Sequence, residues 1–309
     1  MKKLLYFFLT VLILLFVAFL FLRKADIPLQ DLKADYAKAP SAFIEIDDMP
    51  VHYRKEGTGP ALLLLHGTAS SLHTWEPWVD QLKDSFTCVS VDLPAFGLTG
   101  PNTDHDYSTK TYNEFINELM IQLNIDSFHI AGNSLGGYIA WNYALDFPDR
   151  VNKLVLVAAA GYPHDPPQLF KMLANPILAP ILKQISVRSL AENNLKEVYY
   201  DDAQITDELI DRYYHMSLRE GNRDALIARV KRRDENRIDQ ISQLEEPTLL
   251  MWGEADPWVP FEDAHKFKKN ISNSTLISYK DAGHVPMEEK PIQSAEDVKQ
   301  FLLSNSNKS

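Results

Sequence analysis

Five consecutive residues constrain the fold of this chain more than any others: Gly132-Asn133-Ser134-Leu135-Gly136. They follow the strand-like run Phe128–Ala131 and precede the helix-like run Leu135–Phe147, which Pro148 closes. A serine at a sharp strand-to-helix turn points its hydroxyl out above the sheet, and the flanking glycines are needed because a Cβ would collide with neighbouring backbone. The pattern therefore predicts that Ser134 is a nucleophile.

Strand-like and helix-like segments alternate along most of the chain. The strand candidates are Ala42–Ile46, Val51–Lys55, Ala61–Leu65, Phe86–Val91, Phe128–Ala131, Lys153–Ala158, Thr248–Trp252 and Thr275–Tyr279. This alternation is typical of a mostly parallel sheet with helices on both faces. Between Gly161 and about Leu244 there are helix-like stretches such as Leu190–Tyr200 and Asp207–Met216 but no convincing strand, which indicates a helical cap inserted in the domain.

A serine hydroxyl is a poor nucleophile at neutral pH, so Ser134 requires a histidine base and a carboxylate. His284 and Asp256 each follow a strand candidate, which predicts that both lie at the carboxyl edge of the sheet. Glu254 and Asp281 are rival acids, but Glu254 lies closer to its strand end and Asp281 lies too near His284 in the sequence. The remaining histidines lie within a strand, precede a turn glycine or lack a glycine after a strand: His52, His66, His73, His105, His129, His164, His215 and His265.

Acyl transfer also requires N–H donors for the oxyanion of the tetrahedral intermediate. The N–H of Leu135, at the start of the predicted helix, is one candidate. The N–H of Thr68 is the second, because the loop His66-Gly67-Thr68 follows the strand Ala61–Leu65. A simple turn would explain Gly67 as well, but not its place after this strand.

With Ser134, Asp256 and His284 in this order, residues 40–304 resemble the α/β-hydrolase superfamily. The segment Asp92–Gly97 looks like the family's Asp-x-Pro-Gly-x-Gly turn, with Ala95 in place of the usual glycine. The resemblance implies an α/β-hydrolase fold, a mostly parallel sheet with a cap, and a triad that needs neither cofactor nor metal.

Within the superfamily, Gly-Asn-Ser-x-Gly-Gly is similar to bacterial carboxylesterases and lipases, to membrane-anchored monoacylglycerol lipases, and to serine hydrolases that cleave carbon–carbon bonds of ring-fission products. The carbon–carbon hydrolases usually have Trp after the catalytic histidine, where this chain has Val285. The predicted function is therefore that of a serine esterase or lipase, which hydrolyses a small, lipophilic carboxylic ester through an acyl-enzyme. A carbon–carbon bond hydrolase and a non-catalytic binding protein on the same scaffold are the alternatives.

Leu4–Leu22 is a run of 19 uncharged residues, and at about 1.5 Å per residue it would span about 28 Å as a helix. We expect residues 1–24 to form a transmembrane anchor, because Arg23-Lys24 stands where a cleavable signal peptide would have small residues. The expected location is the membrane, with the catalytic domain on the periplasmic or extracytoplasmic side. A linker at 25–40, a hydrolase domain at 41–304 with a cap at about 161–244, and a tail at 305–309 complete the predicted organisation.

The formal net charge is −11, and the chain shows no stripe of Lys and Arg, so we expect no nucleic-acid partner. Cys88 is the only cysteine, which excludes an intramolecular disulfide and a thiolate metal cluster. The predicted cap contains an apolar stretch that includes Leu178 and Leu182. This stretch could line an acyl pocket, contact a bilayer or pack the cap against the domain, and the oligomeric state stays open.

Overall fold

The central feature of the fold is an eight-stranded sheet in a computed structural model that describes residues 1–232 and 236–304. The strands are β1 (Ser41–Ile46), β2 (Met49–Glu56), β3 (Ala61–Leu65), β4 (Thr87–Val91), β5 (Phe128–Asn133), β6 (Val151–Val157), β7 (Thr248–Gly253) and β8 (Ser274–Tyr279). Their spatial order is β1-β2-β4-β3-β5-β6-β7-β8. The hairpin β1–β2 is antiparallel, and β2 pairs antiparallel with β4. The six strands β3 to β8 are parallel to one another.

Helices connect the strands and also form the ends of the described chain. They are α1 (Lys2–Leu22), α2 (Leu29–Tyr36), α3 (Glu76–Leu82), α4 (Thr109–Gln122), α5 (Leu135–Asp146), α6 (Gln168–Ala174), α7 (Ala179–Leu182), α8 (Arg188–Val198), α9 (Asp207–Leu218), α10 (Asn222–Lys231), α11 (Phe261–Asn270), α12 (Pro286–Glu289) and α13 (Pro291–Leu303). The predicted α/β-hydrolase fold with a mostly parallel sheet is confirmed.

Both faces of the sheet are covered, which explains why a strand such as β3 is apolar at successive positions. Side chains along a strand point alternately to the two faces. Leu62 and Leu64 belong to an apolar cluster that includes residues of α3 and α13, while Leu63 and Leu65 belong to one that includes residues of α4, α5 and α11. All four leucines are fully buried, so the parallel strands lie between two helical layers.

Between β6 and β7 the described residues form helices and short turns but no strand. We call the helices α6 to α10 (residues 168–231) the cap. Leu173 of α6, Ala179 of α7 and Ile227 of α10 form a small apolar cluster within it. The cap therefore has some core of its own, and the boundaries predicted for it at about 161 and 244 stay a prediction.

The stretch 25–40, expected to be a linker, contains α2 and is bound to the cap. Ile27 N–H donates to Leu218 O (2.7 Å), and Glu220 N–H donates to Ile27 O (2.9 Å). Leu32 of α2 is buried in a cluster shared with Met216 of the cap. This segment therefore fastens the cap to the edge of the main domain.

The N-terminal helix requires a correction. Residues 2–22 form α1, but none of the helices in the described parts of the chain is both long and apolar enough to cross a membrane. A spanning helix needs about 20 consecutive, predominantly apolar residues. The predicted transmembrane anchor, and with it the membrane location and the extracytoplasmic catalytic domain, is therefore not supported and is withdrawn. The predicted tail at 305–309 lies outside the described residues.

Candidate active site

Ser134 occupies a strained turn between β5 and α5. Its backbone has φ 53° and ψ −113°, a region that a residue with a Cβ rarely adopts and that costs of the order of 1–3 kcal/mol. Hydrogen bonds hold it there: Ser134 N–H donates to Val157 O (3.0 Å), and Ser134 O accepts from the N–H groups of Tyr138 (2.9 Å) and Ala160 (3.1 Å). The turn directs the serine to the carboxyl edge of the sheet, as a nucleophile elbow requires.

Close packing around this turn explains the glycines on either side of the serine. A Cβ on Gly132 would lie 2.2 Å from Gly136 O, and a Cβ on Gly136 would lie 2.1 Å from Leu65 O. Both neighbours are backbone atoms, which cannot move aside as a flexible side chain can. The turn can therefore approach β3 and α5 this closely only without side chains at these positions.

His284 and Asp256 form a buried hydrogen-bonded pair at the same edge of the sheet. Asp256 Oδ2 lies 2.8 Å from His284 Nδ1. The other carboxylate oxygen, Oδ1, accepts from the N–H groups of Trp258 (2.8 Å) and Val259 (2.9 Å). Since a carboxylate only accepts, Nδ1 of His284 carries the proton and Nε2 is left able to act as a base.

The rival acids lie elsewhere. Glu254 is exposed, and its carboxylate accepts from Ser278 Oγ (2.8 Å). Asp281 is exposed as well. Of the three acids considered, Asp256 is the one that contacts His284, which supports its assignment.

Asn133, the residue before the serine, also contacts the histidine loop. Its Nδ2 donates to His284 O (3.0 Å) and to Val157 O (3.1 Å). The amide thus links the ends of β5 and β6 to the backbone of the histidine loop. Sequence reasoning quoted Asn133 as part of the elbow but gave it no role, because its partners are distant in the sequence.

Ser134 and His284 line one cavity of about 190 Å³ between the main domain and the cap. The main domain also contributes Gly67, Thr68, Ser70, Trp258 and Val285. Most of the cap residues that line it are apolar: Leu169, Phe170, Leu173, Leu182, Ile185, Val187, Leu190, Ala191, Leu195, Val198, Leu226 and Ile227. Of the two leucines singled out in the sequence, Leu182 lines the cavity, whereas Leu178 is not among its lining residues and is 38% exposed.

The residues of both candidate oxyanion donors lie close to the serine. Leu135 is the first residue of α5, so its N–H has no acceptor one turn earlier in the helix. Thr68 lines the cavity, and none of the described backbone carbonyls accepts its N–H. The preceding Gly67 is so close that a Cβ there would lie 3.3 Å from Ser134 Cβ. Both assignments stay predictions, and this placement supports them.

His66 stabilises the loop that carries Thr68. Its Nε2 accepts the N–H of Leu93 (3.0 Å), which leaves the proton on Nδ1, and Nδ1 donates to Gly67 O (2.7 Å). Burial lowers the pKa of His66, which favours this neutral form. Sequence reasoning placed His66 before a turn glycine and missed this role.

A second Ser-His-Asp arrangement joins β1, β2 and the residue that follows β4. Ser41 Oγ is 2.9 Å from His52 Nε2, and His52 Nδ1 is 2.7 Å from Asp92 Oδ2. Burial would raise the pKa of Asp92, but the charge and hydrogen bond of His52 hold that pKa well below its usual range. Asp92 also accepts the N–H groups of Leu72 and Leu98, each at 2.7 Å, so it fixes two loops.

This second arrangement lacks the other features of a hydrolytic site. Ser41 begins strand β1 and is not in a strand-to-helix turn. Its hydroxyl oxygen accepts a hydrogen bond from Arg54 Nε (3.0 Å), and His52 is fully buried. Ser41 is not among the residues that line the cavity of Ser134. We therefore assign Ser41, His52 and Asp92 to the structure of the domain.

The described residues form no candidate metal site. No three of their His, Cys, Asp or Glu side chains come together in a way that could hold a metal ion.

Comparison with known proteins agrees with this geometry. Residues 60–179 match a family model described as alpha/beta hydrolase fold, and residues 224–308 match one described as TAP-like protein. The chain belongs to the α/β-hydrolase superfamily. This α/β hydrolase is 26% identical over 271 residues to the uncharacterized hydrolase YugF of Bacillus subtilis, a match that covers 86% of this chain and 99% of that protein.

Two further matches carry more specific names. The α/β hydrolase is 29% identical over 252 residues to a 2-hydroxy-6-oxononadienedioate/2-hydroxy-6-oxononatrienedioate hydrolase of Burkholderia vietnamiensis, covering 77% of this chain and 85% of the relative. The crystal structure of a membrane phospholipase A superposes with a TM-score of 0.74 at 23% identity and covers 98% of each chain. At that identity the structural match shows the fold alone.

Proposed function

We propose that this α/β hydrolase is a serine hydrolase that cleaves carboxylic esters through an acyl-enzyme. The observation that carries the proposal is the single apolar cavity shared by Ser134 and His284, with His284 hydrogen-bonded to the buried carboxylate of Asp256. A strained serine, a histidine with a free Nε2 and two nearby N–H donors are the parts that acyl transfer requires.

In the proposed reaction Ser134 Oγ attacks the ester carbonyl while His284 Nε2 takes the hydroxyl proton. The N–H groups of Thr68 and Leu135 stabilise the negative oxygen of the tetrahedral intermediate. His284 then gives its proton to the leaving alcohol, and the acyl-enzyme remains on Ser134. The same histidine activates water, which releases the acid and restores the serine. Asp256 keeps Nδ1 protonated throughout and stabilises the imidazolium.

The size of the cavity favours a short or medium acyl group. An apolar protein cavity of about 150 Å³ holds benzene, and the cavity beside Ser134 is about 190 Å³. An acyl chain of a few carbons beyond the carbonyl fills such a space. We therefore propose an esterase and do not retain the lipase part of the expectation.

The charges around the cavity favour a neutral substrate over an anionic one. Two of the described lining residues are cationic, and each already has a carboxylate partner. Lys183 binds Asp224 (2.8 Å), and Arg223 binds Asp26 (2.5 Å). A substrate carboxylate that was buried in the cavity without a cation of its own would cost several kcal/mol. A neutral ester avoids this cost.

Carbon–carbon bond hydrolysis is the second candidate, because the Burkholderia relative is named a hydrolase of 2-hydroxy-6-oxononadienedioate and 2-hydroxy-6-oxononatrienedioate. One detail of the cavity favours it: Nη1 of Arg223 is buried and has no hydrogen-bond partner among the described residues. A substrate carboxylate that reached this atom would gain a charged hydrogen bond. The two candidates share Ser134 and His284 and differ in whether the substrate carries an anionic group.

Labelling with a fluorophosphonate probe tests the serine, with Ser134→Ala as the control. A series of p-nitrophenyl esters from acetate to palmitate, assayed beside a 2-hydroxy-6-oxo-dienoate, then tests the substrate. We expect labelling that the variant abolishes, and turnover that peaks at short or medium acyl groups. Turnover of the dienoate without ester turnover would replace the ester proposal with the second candidate. Absence of labelling in folded wild type would favour a non-catalytic binding protein.

A further inference from the structure

The loop that carries His284 is bound on one side to the end of cap helix α8. His284 N–H donates to Val198 O (2.8 Å), and Val198 is the last residue of α8. The contact is close, since a Cβ on Gly283 would lie 2.4 Å from Val198 O. The position of the histidine backbone therefore depends directly on where this cap helix ends.

Glu289 reinforces the same contact from the other side. Its Oε1 accepts the N–H of Gly283 (2.7 Å), and its Oε2 accepts the N–H of Tyr200 (2.7 Å). Gly283 precedes His284, and Tyr200 follows α8 by two residues. One carboxylate thus bridges the histidine loop and the cap through both of its oxygens, and with 4% of its surface exposed it has little access to water.

The bridge requires a carboxylate rather than a neutral side chain. Both partners are backbone N–H groups, so both oxygens must accept, and an amide or a protonated carboxyl would set a donor against a donor. Burial raises the pKa of Glu289, and the two N–H groups act in the opposite direction. In the structure both oxygens of the side chain act as acceptors.

The neighbouring acid, Glu288, does not share the contacts of Glu289 with the histidine loop. Glu288 turns away from the histidine loop: Tyr199 OH donates to its Oε2 (2.6 Å), and Thr74 Oγ1 donates to its Oε1. Two adjacent buried acids thus have different partners, and Glu289 is the one in contact with the histidine loop.

We propose that Glu289 is a positioning residue, which holds His284 in register with Ser134 by joining the histidine loop to the end of cap helix α8. Glu289 does not contact the substrate. The inference rests on the proposed function, since it assigns Glu289 a role through His284 in the same reaction.

Two pairs of variants test the bridge from its two ends. Glu289→Gln leaves one oxygen to accept and introduces a donor. Its control is Glu246→Gln, which changes another buried acid; Glu246 lies just before β7, at the end of the sheet away from Ser134. Tyr200→Pro removes the N–H that binds Oε2, and its reference is Tyr200→Ala, which keeps the N–H and removes only a side chain that is 55% exposed. The backbone before position 200 suits proline, because Tyr199 has φ −88° and ψ 144°.

The measurements are the melting temperature, kcat and KM for a p-nitrophenyl ester, and the rate of fluorophosphonate labelling, all on the full chain. A histidine displaced by a fraction of an ångström takes the serine proton less well but leaves ester binding intact. We expect Glu289→Gln and Tyr200→Pro to lower kcat and the labelling rate at least 10-fold with KM within 2-fold. The double variant should lose no more than the worse single variant, because both break one bridge. Glu246→Gln should match wild type.

Other results would overturn the proposal. Wild-type kcat in Glu289→Gln would show that the bridge is not needed, and a melting temperature that collapses in that variant would assign Glu289 to folding. If Tyr200→Pro does not fold, Glu289→Gln decides alone. Equal kcat in folded Tyr200→Pro and Tyr200→Ala would show that the N–H of residue 200, and with it the contact to the cap, is not needed to position His284. Failure of wild type to label at all would instead be failure of the proposed function.

Discussion

Replacement of Asp256 by asparagine tests the site sharply, because the structure dictates how the new amide must lie. In wild type one carboxylate oxygen accepts two backbone N–H groups, from Trp258 and Val259, and the other faces His284 Nδ1. The amide has one oxygen and one NH₂ group. Only one of the two sides can therefore keep its acceptor.

The count of donors decides which side that is. If the NH₂ group faced Trp258 and Val259, both N–H groups would lose their acceptor, and for a buried group such as that of Val259 this costs about 1–3 kcal/mol. The amide oxygen therefore stays with the backbone, and the NH₂ group donates to His284 Nδ1. This moves the imidazole proton to Nε2, so the histidine cannot accept a proton from Ser134. In a Ser-His-Asp triad this change lowers kcat by about 10⁴-fold, while the fold, which keeps its hydrogen-bond count, should lose at most about 1.5 kcal/mol.

The assay is kcat on the best p-nitrophenyl ester, beside urea unfolding of the same protein. Asp281→Asn, which changes an exposed rival acid near the histidine, serves as the matched control and should keep wild-type activity. A kcat within 10-fold of wild type in folded Asp256→Asn would refute the tautomer argument. An equal loss in both variants would mean that Asp256 has no special role.

Three further predictions follow from the packing and the buried charges. Leu182→Ala should widen the cavity and move the preferred acyl length upwards by one or two carbons. Leu178→Ala changes a residue that does not line the cavity and should leave the preferred length unchanged. The same shift in both variants would mean that the length depends on packing of the whole cap and not on the cavity wall. Gly136→Ala places a Cβ 2.1 Å from Leu65 O and should lower the free energy of unfolding by about 1–3 kcal/mol in urea, and an unchanged midpoint would contradict the close approach. Burial, aided by the charge of Lys153, lowers the pKa of His129 to about 4. The unfolded state therefore binds the proton more readily, and stability present above pH 6.5 should be lost as the pH falls towards 4, by at most about 3 kcal/mol. His129→Gln should flatten that part of the urea-stability profile, and an unchanged slope would mean that His129 does not titrate there.

Local patterns were enough to predict the eight strands, because the core strands are mostly apolar runs between turn residues. Several of their predicted ends differ from the observed ones. Phe128–Ala131 was predicted as a strand, but β5 runs on to Asn133, two residues into the elbow. The glycine and the asparagine have low strand propensity, and it is pairing with β6 that keeps them extended. Tertiary contacts therefore override the local preference at the point where the site begins.

Ser134, His284 and Asp256 could be selected from the sequence because each stands in a recognisable context after a strand. Asn133 and Glu289 could not be given roles in this way, since each acts through a hydrogen bond to backbone far along the chain. No local pattern shows which N–H group a side chain will meet. Residues that hold a catalytic group in place are therefore harder to read from one sequence than the catalytic group itself.

The two Ser-His-Asp arrangements in this chain show what distinguishes a reactive serine from a structural one. Ser41 is hydrogen-bonded to a histidine, and that histidine to an aspartate, as in a triad. Its oxygen, however, accepts from Arg54, and its histidine is fully buried. Ser134 lies in a strained turn, at a helix N-terminus and in an apolar cavity. Activation by a histidine lowers the barrier only if a substrate can reach the serine and N–H donors can stabilise the oxyanion. The argument for catalysis therefore depends on the elbow and the cavity as much as on the three side chains.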